Sequence, residues 1–117
     1  MENDKLQLFE NKMIRTAWDE ETEEWYFSIV DVISVLTGTE NPRRYWSDLK
    51  RKLKKEGAVE LYERIVQLKM LSSDGKRYKT DVADTEQLLR IIQSIPSPKA
   101  EPFKAWLAMV GRERIEE

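Results

Sequence analysis

Residues 25–57 read WYFSIVDVISVLTGTENPRRYWSDLKRKLKKEG, and the order of signals in this stretch decides the fold. Trp25, Tyr26 and Phe27 are three consecutive residues of high strand propensity. Ser28 then supplies a hydroxyl that can cap a helix, and Asp31, three positions on, stands where a capping box places its carboxylate. Ile29, Val32, Ile33 and Leu36 recur at helical spacing, and Gly38 after Thr37 is a stop signal. A second start follows at once, with Asn41 as cap and Pro42 at the first helical position. This helix is predicted to run to about Glu56, where Gly57 ends it. Tyr45, Leu49 and Leu53, with Trp46 beside them, form its core-facing stripe, and Arg43, Ser47, Lys50, Arg51 and Lys54 fall on the opposite side. Helix, tight turn and second helix are spaced like a helix-turn-helix, with the basic helix in the recognition position.

Working outward, residues 6–10 and 12–18 read as short strands, with Ile14, Thr16 and Trp18 on one face at period two. The acidic tract 19–24 is then a hairpin loop leading back into 25–27. On the other side, residues 60–64 suit a helical turn. Val66, Leu68 and Met70 then alternate with Gln67 and Lys69, 72–75 is a turn cluster, and 77–80 returns as a partner strand. Asp84 with Gln87 marks another capped start, for a helix through Leu88, Leu89, Ile91, Ile92 and Ile95. Ser97-Pro98 opens a last helix that buries Phe103, Trp106, Leu107 and Val110. The expected fold class is α+β: a small antiparallel sheet from the N-terminal strands and a second hairpin, a helix-turn-helix-like pair, and two C-terminal helices. Residues 1–117 are expected to form one domain, and a chain that closes on a helix without a cap suits the N-terminal fragment of a longer protein.

The sequence contains no cysteine and no histidine. Disulfides and thiolate metal sites are therefore excluded, and the usual general base and nucleophile–base pairs are missing. No P-loop or dinucleotide fingerprint is present, so no cofactor is implied, and an enzyme is not expected. No signal peptide or membrane-length apolar run is present, which leads us to expect a cytoplasmic protein with no membrane partner.

The net charge of −2 hides a partition. Residues 1–41 hold ten acids and three bases, leaving 12 acids and 17 bases for residues 42–117. Between 42 and 55, Arg43, Arg44, Lys50, Arg51, Lys52, Lys54 and Lys55 face Asp48 alone. A ligand feels the local field within roughly 10 Å rather than the molecular sum, and that field is positive.

The ordered set of motifs resembles a known family. Residues 25–32, Trp-Tyr-Phe-Ser-Ile-Val-Asp-Val, with the turn from Leu36 to Gly38, resemble the opening of Bro-N domains. Leu88-Leu89-Arg90-Ile91-Ile92, Ser94, Pro98-Lys99-Ala100-Glu101, Phe103-Lys104 and Trp106-Leu107 resemble the segment that closes them. The stretches 41–50 and 74–81 look like the branch of prophage antirepressors and DNA-damage-inducible protein D. The resemblance spans about 8–110 and implies an α+β DNA-binding domain of a transcription regulator, usually followed by a variable C-terminal domain. It carries no contact list, and the acidic tract 19–24 is outside the shared pattern.

Candidate contacts to double-stranded DNA therefore come from the residues themselves. Arg43, Arg44 and Ser47, near the start of the basic helix, are placed for base edges. Lys50, Arg51, Lys54 and Lys55 are placed for phosphates. Lys76, Arg77 and Lys79 make the second hairpin a possible wing. Against this stands the ordinary solvated helix, whose long basic stems cover apolar neighbours. Tyr78 has the form of a stacking residue, although a strand tyrosine is more often half-buried packing. Asp74-Gly75-Lys76 has the D-x-K form of metal-dependent nucleases, with Asp81 or Asp84 as further acids, but a plain turn explains it. The four tryptophans read as core. The competing function is a protein-interaction module that binds a repressor, for which the acidic tract 19–24 is the candidate patch. A homodimer is compatible with the helix pair but not demanded by it.

Overall fold

In the computed structural model, the structure describes residues 4–57, 63 and 65–113. Strands β1 (Asp4–Phe9), β2 (Lys12–Asp19) and β3 (Glu24–Ser28) lead into α1 (Ile29–Thr37) and α2 (Pro42–Lys55). Strands β4 (Val66–Leu71) and β5 (Arg77–Asp84) then precede α3 (Thr85–Gln93) and α4 (Ala100–Glu113). The strands form one antiparallel sheet in the order β1-β2-β3-β5-β4, so the fold is α+β as expected. The turn expected at 60–64 lies outside the described residues except for Glu63, which is helical.

The sheet is drawn together by β5, which runs four residues past the expected return. Phe27 pairs with Ala83 and Ser28 with Val82, while Leu68 pairs with Thr80. The second hairpin is thereby stitched to the first through a shared central strand. Ile14, Trp18, Phe27 and Ala83 turn one face of the sheet to the helices, where Ile33, Leu88, Ile92, Phe103 and Leu107 complete the main core. Ala17, Met70 and Val82 form a smaller cluster on the other face, flanked by Tyr26 and Leu68.

Local chemistry sets the helix pair. The Ser28 Oγ accepts from the Asp31 N–H at 3.4 Å, but the Asp31 carboxylate does not complete a capping box. It accepts instead from Arg15, through the backbone N–H at 3.0 Å and the guanidinium at 2.8 and 3.0 Å. A fixed guanidinium fork outcompetes one backbone N–H for a carboxylate. Gly38 takes φ +69° and donates to Ser34 O, a left-handed cap that a side chain would strain. The Thr39 N–H donates to Thr37 Oγ1, and the Asn41 N–H to Thr39 Oγ1, which winds the connection tightly. The Asn41 side chain then accepts from the Arg44 N–H at 3.2 Å and opens α2. The expected reciprocal box at Asp84 and Gln87 does form. The last helix begins at Ala100, two residues past Pro98, because Ser97 Oγ accepts from the Lys99 N–H and donates to Leu36 O. Trp106 is only partly buried, and its indole N–H donates to Leu8 O at 2.8 Å.

Candidate nucleic-acid interface

The two basic elements, separate in sequence, meet across one cleft of about 700 Å³. Its walls are α2, through Arg43, Trp46 and Lys50, and the β4–β5 hairpin, through Ser72, Asp74, Tyr78, Lys79, Thr80 and Asp81. Arg15 and Val30 close one side. Arginine and lysine face one another over a partly aromatic lining.

Asp81 is the joint between the walls. One carboxylate oxygen accepts from the Trp46 indole N–H at 2.7 Å and from Lys50 Nζ at 3.2 Å, and the other accepts from Gln67 at 2.8 Å. Burial pushes its carboxyl pKa up, but these hydrogen bonds and the Lys50 charge outweigh that and hold it below the ordinary range. Asp81 thus stays charged and ties α2 to the sheet. Its place in the structure is that of a helix anchor. Asp74 accepts from the Lys76 N–H and from the Tyr78 hydroxyl, and Asp84 caps α3. Among the described residues no group of acids is arranged to hold a metal.

The basic residues of α2 divide into two groups. Arg43, Arg44 and Ser47 are exposed near its N-terminus, where the sequence placed base contacts. Arg43 and Arg44 also stand in a first turn that carries no acid, against the preference of the helix dipole. Lys50 corrects the expectation of a free outer face. It lies one turn after Trp46, sits 5.5 Å from the centroid of that ring, and is paired with Asp81 at only 29% side-chain exposure. Positions four apart share a helix face, so a lysine that follows a buried tryptophan is drawn inward. Arg51 pairs with Asp48 while remaining exposed. Lys54 and Lys55 are exposed near the C-terminus of α2, outside the cleft.

On the hairpin, Lys76, Arg77 and Lys79 are all exposed, but only Lys79 lines the cleft. Arg77 donates to Lys69 O at 3.1 Å and borders a separate groove with Leu6, Met13 and Leu71. Tyr78 is 45% exposed rather than packed. Its hydroxyl donates to Asp74 at 2.6 Å, and that carboxylate raises the tyrosine pKa, with Arg43 pulling it the other way. No local signal singles out Asp81 as a joint or Arg15 as a cleft wall. Both depend on pairings 16 to 35 residues apart that only the register creates.

A family model described as the BRO family, N-terminal domain, matches residues 13–113. No curated protein and no solved structure matches.

Proposed function

We propose, from the premise that this chain belongs to the BRO family as its N-terminal (Bro-N) domain, that it binds duplex DNA through the cleft-side face of α2 and the β4–β5 hairpin. On this reading it is the regulatory DNA-binding module of a prophage antirepressor or damage-inducible protein, and its activity is binding rather than catalysis. The observation that carries the reading is convergence: Arg43 and Lys79, from separate basic elements, line one cleft on a chain of net charge −2. A surface that only solvated its charges would have no reason to collect them. The first turn of α2 adds support, because Arg43 and Arg44 there oppose the helix dipole and an anion would relieve both. Their planar forks can meet a guanine edge bidentately.

The test is fluorescence anisotropy on labelled duplex at several salt concentrations, comparing the protein with Arg43→Gln/Arg44→Gln. Four to six phosphate contacts give a log–log salt slope of about −4 to −5, and the variant is expected to bind more weakly. A Kd no tighter than about 100 μM at low salt, unchanged in the variant, overturns the reading, since non-specific binders already reach about 10⁻⁴–10⁻⁶ M. Repressor binding would then lead. The feature favouring that second reading is the groove of about 750 Å³ beside exposed Leu6, Met13 and Leu71, where an apolar partner surface fits.

A further inference from the structure

Register places three rungs of the β4–β5 hairpin on the face of the strands that carries Asp81. Gln67 stands opposite Asp81, Lys69 opposite Lys79, and Leu71 opposite Arg77. The first rung is satisfied within itself and by α2, as the Gln67–Asp81 hydrogen bond and the Trp46 and Lys50 donors show. The second rung is two lysines and nothing else. Directly opposed residues hold their Cβ atoms roughly 4.5–5.5 Å apart, and like charges there destabilise the pair. Neither ammonium has an acidic partner among the described residues. The nearby acids are committed, Asp81 to Trp46, Lys50 and Gln67, and Asp74 to Tyr78 and the Lys76 N–H. Arg77, one rung away, adds a third cation and leans on the Lys69 carbonyl.

Lysine on an exposed strand has a protective use, since it discourages pairing with another chain. That accounts for one lysine on either strand. It does not call for two in the same rung, where each raises the energy of the other. An anion between them turns the repulsion into a two-sided contact, and Lys79 already opens into the cleft that holds Arg43.

We propose that the Lys69–Lys79 rung is a seat for one phosphate group, with both ammonium groups donating to its oxygens. In DNA this phosphate is the one reached as the backbone leaves the start of α2 and crosses the hairpin. The DNA placement rests on the DNA-binding reading above. The seat itself does not, because a free polyphosphate carries the same chemistry.

The experiment uses the full chain and the variants Lys69→Gln, Lys79→Gln and the double variant, each in two arms. In thermal unfolding without ligand, either single variant is expected to melt about 1–4 °C above the parent, because the repulsion is gone. Sodium tripolyphosphate is expected to raise the melting temperature of the parent more than that of the double variant, which keeps only the Arg43 and Arg44 end. In the DNA arm, the double variant is expected to flatten the salt slope by about 0.9, one phosphate's worth, and each single variant by less, because the remaining lysine still holds that phosphate. Losses that add to about twice that in the double variant would mean two independent contacts and overturn the shared seat. An unchanged slope in the double variant, with the parent still binding, overturns it and leaves DNA binding standing. If the parent does not bind duplex, the DNA reading fails, and the tripolyphosphate shift decides the seat: larger in the parent than in the double variant, it stands; equal in the two or absent from the parent, it falls.

Discussion

Replacing Asp81 is expected to move stability and DNA affinity in opposite directions. The carboxylate is 14% exposed, and it accepts from a tryptophan that is 4% exposed. Asp81→Ala strands the Trp46 indole N–H and removes the partner of Lys50. An unsatisfied buried donor costs about 1–3 kcal/mol, and a partly exposed ion pair adds up to about 1 kcal/mol, so a loss of about 2–3 kcal/mol is expected. Asp81→Asn keeps a carbonyl oxygen for the indole and loses mainly charge, at about 1 kcal/mol. At about 3–6 °C per kcal/mol for a domain of this size, the two variants are separated in one calorimetric scan. Because the native carboxyl sits below its ordinary value of 3.8, its ionised form is favoured by folding. Its contribution is complete above that value and fades as the pH falls through the lower native one. The gap between parent and Asp81→Asn is therefore expected to be constant near neutrality and to close in acid. In the DNA assay Asp81→Asn removes a negative charge from the cleft and releases Lys50, so binding is expected to tighten and the salt slope to steepen by up to about 0.9. Weaker binding by a folded Asp81→Asn protein would refute this reasoning, and would mean that Lys50 works only where Asp81 holds it.

Arg15→Ala removes the guanidinium that Asp31 binds and that reaches Ser28 Oγ and Leu71 O, and is expected to cost about 2 kcal/mol in urea unfolding. Asp84→Ala breaks the capping box of α3 and is expected to cost about 1 kcal/mol by the same measurement, with binding retained. Gly38→Val forces a β-branched residue to φ +69° and is expected to destabilise by more than about 1 kcal/mol; an unchanged denaturation midpoint would show that the turn between α1 and α2 is free to rearrange.

The elements legible in the sequence are those whose signals are local. Ser28, Gly38, Asn41 and Pro42 mark the helix pair because a cap or a left-handed stop acts on its own neighbours within three residues. The Asp84–Gln87 box was legible for the same reason. Asp31 shows where this logic stops: its spacing from Ser28 suits a box, but Arg15, sixteen residues earlier, offers a stronger bond. The four-residue extension of β5 was hidden because Asp81–Asp84 interrupts an apolar run with two acids, a pattern that reads as loop until Asp81 is seen to anchor α2. In the candidate site, the charge of α2 was plain, but which of its cations are free was not. Lys50 and Arg51 are adjacent and alike in sequence, yet one is drawn under the hairpin and the other stays out on the helix surface.

That division changes how the charge of α2 is to be understood. A helix with seven cations and one acid needs a reason to stay docked, because its own field repels the basic hairpin beside it. Asp81 supplies that reason: its carboxylate fastens α2 to the sheet, and in doing so it pairs with Lys50. The positive charge that remains unpaired lies outward of it, at Arg43 on one wall and Lys79 on the other, with exposed Arg44 and Lys69 beside them in α2 and β4. The same carboxylate that stabilises the fold thus sets where an incoming anion meets cations without a partner. On the proposed reading, an anion meets its cations at Arg43 and Lys79 rather than at Lys50, which suits a backbone laid across the cleft better than a small ligand held within it.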